Sequence, residues 1–167
     1  MSFAKLLSQR FAEPLKAAGY KKKDFNWTRM NDETCLIVNI QKSRWGEWAY
    51  VNMGVFVYLL GSESNPKEYQ CHIRFRLEDV CPPVQESFIS GKDHDILSAK
   101  PLLPDSIDAE KFTYALKDFG LPVLEKMSTL NDLRSLMSQG QSGSQDRAAQ
   151  LSQQLTGYFA VLNRVAS

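Results

Sequence analysis

AYVNMGVFVYLL, residues 49–60, decides how this chain is read. Its odd positions are Val51, Met53, Val55, Val57 and Leu59, all aliphatic or methionine. Its even positions mix Tyr50, Asn52, Gly54, Phe56 and Tyr58. A period of two is the signature of a strand, because successive side chains leave it on opposite faces. The same period runs outward on both sides. CLIVNIQK, 35–42, sends Leu36, Val38 and Ile40 one way and Asn39 and Gln41 the other. FNWTRM, 25–30, precedes it as a first strand. YQCHIRFRLEDV, 69–80, follows as a fourth, with apolar members Cys71, Ile73, Phe75 and Leu77 and polar members His72, Arg74, Arg76 and Glu78. The connections NDE, SRWGEW and GSESNPKE are short and polar, which predicts an antiparallel meander rather than βαβ units.

Outside these segments the period is helical. Phe3, Leu7, Phe11, Leu15 and Ala18 share one face of a helix over 2–18, which Gly19 stops and Pro14 kinks or restarts. Past Pro82-Pro83, VQESFIS is a short helical piece and GKDHDILSAKPLLPDS a loop. A helix capped by Ser106 or Asp108 runs to about 119, Gly120 and Pro122 interrupt it, and LPVLEKM restarts it. Thr129 to Asp132 resembles a capping box and opens a further helix. GQSGS, 140–144, is a flexible turn. The last helix carries Leu151, Leu155, Tyr158, Leu162 and Val165 as a heptad-like seam expected to pack on 129–138. The expected fold is α+β: an N-terminal helix, a four-stranded antiparallel meander, then C-terminal helices. All of it forms one domain over 1–167, with helix and sheet in 1–83 and helices in 84–167.

With 167 residues, 43% hydrophobic and 23% charged, the chain is an ordinary globular length of sequence. A net charge of +1 gives no reason to expect nucleic acid or an anionic membrane as partner. The N-terminus has no apolar h-region and no run is long enough to cross a bilayer. Cys35, Cys71 and Cys81 are odd in number and contain no CxxC, against a disulfide framework and a zinc site. A reduced, cytoplasmic protein without cofactor is expected, as a monomer or weak dimer.

The candidate site is the second face of the sheet, where Gln41, Tyr50, Asn52, His72, Arg74 and Arg76 gather if the register aligns them. His72, Arg74 and Arg76 project from one side of a strand, roughly 7 Å apart. Two guanidiniums in a row suit a phosphate, a carboxylate or an acidic partner, with His72 as acid/base in an enzymatic version. The plain alternative is a salt-bridged outer face, with Glu78 or an acidic loop residue as partner. Trp45 and Trp48 flank a hairpin tip, either as exposed anchors or folded back on the sheet edge; Trp27 belongs in the core. Lys21-Lys22-Lys23 could touch a phosphate backbone, but just past a helix end it is more simply explained as favourable to the helix dipole and to solubility. Asp93-His94-Asp95 is a weak metal cluster on a loop, and Asp118-Phe119-Gly120 matches the kinase tripeptide without its companion motifs. No metal site or catalytic set is assigned.

GYKKKDFNWTR after an N-terminal helix, NIQKS, YVNMGV, CHIRFRL and FGLPVLEKMSTLNDL together resemble a bacterial family known as a domain of unknown function, number 4304 in its series. The similarity covers roughly 3–135. Between its two arginines this chain has Phe75, where the family carries small residues, so its inner face is more fully filled. The resemblance implies an α+β domain and no reaction. It marks Gln41, Ser43, Asn52, His72, Arg74 and Arg76 as the polar members of the matching motifs. The expectation is a non-enzymatic binding domain whose second face, rimmed by Trp45 and Trp48, holds a protein or small anionic ligand. An immunity protein covering a toxin is its concrete version. The alternatives are a small enzyme acting on a phosphorylated or nucleotide-like substrate, and a purely structural role for the arginines.

Overall fold

The computed structural model describes residues 1–44, 48–81 and 106–158. Helix α1, Phe3–Arg10, and helix α2, Ala12–Ala17, meet at Phe11. Pro14 has no N–H to give the Arg10 carbonyl, so the restart falls where its ring demands it. Gly19, at φ +84°, closes α2. Its N–H reaches the Lys16 carbonyl and that of Tyr20 the Leu15 carbonyl, the two bonds of a Schellman ending.

The sheet has five strands, one more than the sequence pattern predicts: β1 Lys21–Lys23, β2 Asn26–Met30, β3 Thr34–Lys42, β4 Ala49–Val57 and β5 Ile73–Arg76. They lie in the order β1-β2-β3-β4-β5, each antiparallel to the next. The added strand is the lysine run, paired Lys21↔Thr28 and Lys23↔Asn26 through a tight turn in which Asp24 takes φ +56°. Aspartate tolerates that left-handed conformation better than most side chains. The two longest expected strands are cut short. Tyr58–Leu60 is a 3₁₀ turn, and β5 lies between 3₁₀ turns at Glu68–Gln70 and Leu77–Val80. The Asp79 carboxylate accepts the Arg76 N–H at 2.7 Å, which draws the chain out of the ladder after four residues.

Register builds the inner face. Trp27, Val38, Met53 and Phe75 stand opposite one another across four strands, and Leu36, Val55 and Ile73 form the next row. Phe3, Leu7, Phe11 and Leu15 lie against this face, with Phe112 of α3 (Ser106–Ala115) and Leu124 of α4 (Leu121–Glu125). A π-helical turn, Leu116–Gly120, joins α3 to α4. The chain therefore continues through Gly120 and Pro122 where a break was expected. Pro122 is the second residue of α4, directly after the π turn. Gly120 is a packing glycine: a Cβ there would stand 2.8 Å from Leu77 Cδ1 and 3.0 Å from Met53 Cε.

Helix α5, Leu130–Gln141, opens on Thr129, whose Oγ1 accepts the Asp132 N–H at 3.1 Å. The β2–β3 turn holds this end: Thr34 Oγ1 and Asn31 Nδ2 donate to the Ser128 carbonyl at 2.6 and 2.8 Å, and Glu33 Oε2 accepts the Leu130 N–H. The expected turn at 140–144 begins later, with Gly143 at φ +78°. Helix α6, Arg147–Ser152, is capped by Asp146, whose carboxylate Lys126 binds at 2.8 Å and holds below its ordinary pKa. Among the described residues of the last helix six are α-helical, Arg147–Ser152, and Gln153–Tyr158 tightens to 3₁₀. Leu151 and Leu155 keep the expected inward seam, but Tyr158 leaves it and is exposed, because a 3₁₀ turn does not continue a heptad. Leu162, Val165, Trp45, VQESFIS at 84–90 and the Asp93-His94-Asp95 loop lie outside the described residues. One buried cluster runs from Phe3 to Leu155, so sheet and helices share a core. Among the described residues no helix is long and apolar enough to cross a membrane.

Candidate functional site

The second face carries its own rows. Lys23, Asn26, Asn39, Asn52 and Arg76 stand opposite one another across all five strands. Asn39 Nδ2 donates to Asn26 Oδ1 at 2.8 Å, and Asn52 Nδ2 donates to Gln41 Oε1 at 2.9 Å and to Asn39 Oδ1 at 3.2 Å. Four amides thus form one connected network, which fixes their orientation. At its β5 end the Arg76 guanidinium lies 4.5 Å from the centre of the Tyr50 ring, a cation–π stack. Arg76 Nη1 is 3.5 Å from Glu78 Oε1, with the arginine side chain 48% exposed.

The neighbouring part of the face is apolar and closed. Cys35, Ile37, Phe56 and Cys71 are buried together, with Tyr58 beside them. The 61–71 segment is the cover, with Pro66 buried and Gly61 against the Phe56 ring. Cys71 was expected beside Ile73 and Phe75 on the inner face. The 3₁₀ turn before it breaks the alternation, and its sulfur comes down on the second face over Gly54. Burial raises both thiols, Cys35 to about 11, so neither is a ready thiolate.

His72, Arg74 and Arg76 do not form a convergent trio. The His72 ring lies between Phe56 and Tyr158, at 4.7 and 5.1 Å. Its Nδ1 accepts the Val57 N–H at 3.0 Å, so one of its two polar ends is committed to backbone. Arg74 is paired with Glu68 of the covering segment, Nε to Oε1 at 3.0 Å. Its backbone is held at the sheet edge: Gln154 Oε1 accepts the Arg74 N–H at 2.7 Å and Gln154 Nε2 donates to the Arg74 carbonyl at 2.8 Å. One side chain thereby closes an edge that would otherwise be open to another strand. Trp48 folds back on the core, stacked on Phe3 at 5.3 Å and edge-on to Phe112 at 5.8 Å, so it does not rim the site. Ser43 is buried, its N–H on the Trp48 carbonyl.

The half-buried His72 ring makes a pH prediction. Burial lowers its pKa, so the unfolded chain binds the proton more readily. The stabilisation is complete above the unfolded value of about 6.5 and is lost as pH falls through the lower folded value. Asp146, also depressed, acts in a separate window around and below its ordinary 3.8. The urea midpoint is expected to fall from pH 7 to pH 5, with a flatter slope in His72→Phe. Equal slopes in the two proteins would remove His72 as the cause.

Sequence reasoning missed Lys21, Lys23, Thr28 and Lys67 as members of this face. The available signal was that Lys21 and Lys23 extend the alternation of β2 back across an aspartate turn.

No curated protein and no solved structure matches the chain. A family model does match, over residues 11–126, described as a domain of unknown function (DUF4304). That segment contains every strand of the sheet and the whole row from Lys23 to Arg76. The match covers well over half of the sequence, and the chain belongs to this family.

Proposed function

We propose that the chain is a non-enzymatic binding domain that presents the polar half of its second face to a protein partner. The observation that carries this reading is the Arg76–Tyr50 stack at the end of a fixed amide network. Arginine and tyrosine are the side chains most often found as interface anchors. A guanidinium already stacked and tethered loses less freedom on binding than a loose one. The inner face is sealed by helices, whereas Gln41, Arg74 and Arg76 of the second face remain exposed. An immunity protein that covers a toxin is the concrete version, and three free cysteines suit a reducing compartment.

The enzymatic alternative needs His72 as acid/base with Arg74 and Arg76 as clamps. His72 has its Nδ1 on the Val57 N–H, and each arginine has its own carboxylate. That favours binding over proton transfer.

The test compares the wild-type chain with Tyr50→Ala/Arg76→Ala as immobilised bait in lysate of the native host. A partner retained by wild type is expected to bind the double variant at least about tenfold more weakly, with unfolding midpoints alike. Equal retention of the same partner removes this face from the function.

A further inference from the structure

We propose that the opposite end of the second face is a site for a tetrahedral oxyanion, a phosphate or a phosphoryl group on a small molecule. It rests on the reading of this face as a binding face, but uses none of the residues of the Arg76–Tyr50 stack. The β1–β2 hairpin and the 61–71 segment enclose a cleft of about 130 Å³. Register puts Lys21 opposite Thr28 and Lys23 opposite Asn26, so four polar side chains leave the hairpin on one side. Lys22 points to the other face, its ammonium 5.2 Å from the Trp27 ring centre. Asn65 and Lys67 form the far wall, and Ile37 lies beneath.

That wall is fixed. Pro66 is buried, the Lys67 N–H bonds Gln70 Oε1 at 2.8 Å, and the Cys71 sulfur lies 3.8 Å from the Lys67 carbonyl. Lys21, Lys23 and Lys67 therefore line one cleft together with Thr28, Asn26 and Asn65. The one carboxylate lining it is Asp24, at the turn.

The arginines of the face are neutralised by their own glutamates, Arg74 by Glu68 and Arg76 by Glu78. Among the described residues Lys21, Lys23 and Lys67 have no such ion pair. Edge-strand lysines also discourage pairing between sheets, which accounts for Lys21 and Lys23. It does not account for Lys67, which comes from a different segment and closes the same cleft. Size selects the ligand: pockets for drug-sized molecules run to roughly 300–1,000 Å³. A cleft this small takes one oxyanion group with a few waters, and the rest of any molecule carrying that group lies outside it.

The experiment titrates inorganic phosphate, sulfate and phenyl phosphate into the full chain at ionic strength held constant with sodium chloride, read by amide NMR shifts. Expected are saturable shifts at Lys21, Lys23, Thr28 and Lys67, and at least about tenfold weaker binding in Lys21→Gln/Lys67→Gln. Lys5→Gln/Lys16→Gln removes the same charge elsewhere and is expected to bind as wild type. Phenyl phosphate binding as tightly as phosphate assigns the site to a phosphoryl group carried on a molecule; weaker binding assigns it to the free ion. Shifts that do not saturate, or equal weakening in both double variants, overturn the proposal. The Tyr50→Ala/Arg76→Ala chain should still bind phosphate, so the two readings fail separately.

Discussion

Replacing Trp27 with alanine is expected to cost about 3–5 kcal/mol of folding free energy, the range for deleting a large buried aromatic. Trp27 is 1% exposed and stands at the β2 end of the inner row with Val38, Met53 and Phe75. The Phe11 ring lies 6.4 Å away, centre to centre, and Lys22 covers its outer side. It therefore joins helix, sheet and edge hairpin at one point. A domain stable by about 5–15 kcal/mol survives this loss with little margin. Urea unfolding measures it, with the m-value unchanged. Because β1 pairs only with β2, amide exchange at Lys21–Lys23 should rise more than in β3 or β4. A loss below about 1 kcal/mol would mean that the site collapses onto the missing ring and that Trp27 is no support.

Trp27 also shows which part of the fold could be read from the sequence. Inner-face residues of β2, β3 and β4 repeat every second position, and burial selects that pattern along the whole length of a strand. Pro14 acts through its own ring and Thr129 through a side-chain bond to an N–H three residues on, so their effects are local and equally legible. The lysine strand is different. Lys21–Lys23 has no apolar alternation, and only its pairing with Asn26–Thr28 makes it a strand. Cys71 was misplaced for a related reason: the alternation holds only within Ile73–Arg76, and a 3₁₀ turn resets the direction before it.

The site was half legible. Its polar members could be named, because period two assigns a face. Their partners could not. Glu68 reaches Arg74 from a loop, Gln154 reaches it from the far end of the chain, and Phe112 draws Trp48 inward. Those contacts join segments whose separation in sequence carries no periodic trace. The cluster first read as a possible acid/base and anion clamp is thus already occupied by the protein's own groups. Among the described residues, the lysines of this face without an ion pair sit at the other end of the sheet.

Gly54→Val is expected to destabilise the protein by about 3 kcal/mol or more, at the upper end of overpacking costs. Gly54 lies on the second face between Ile37 and Arg74. A Cβ there would stand 2.7 Å from Cys71 Sγ, 2.8 Å from Cys71 Cβ and 3.3 Å from the Ile73 carbonyl oxygen. These neighbours are a short side chain and backbone, with no flexible end to move aside. Cys71 is itself held, its N–H on the Glu68 carbonyl at 3.1 Å. The strain therefore passes to the 61–71 segment that seals Cys35, Ile37 and Phe56. Thiol reagents should label Cys35 and Cys71 faster in Gly54→Val than in wild type under native conditions. In Gly54→Ala/Cys71→Gly both closest contacts are gone, and a favourable coupling of about 0.5–3 kcal/mol between the two sites is expected. The same segment supplies Asn65 and Lys67 to the lysine cleft, so Gly54→Val should also weaken phosphate binding without touching a lysine. Wild-type stability and wild-type thiol labelling in Gly54→Val would show that the segment is not seated on this face.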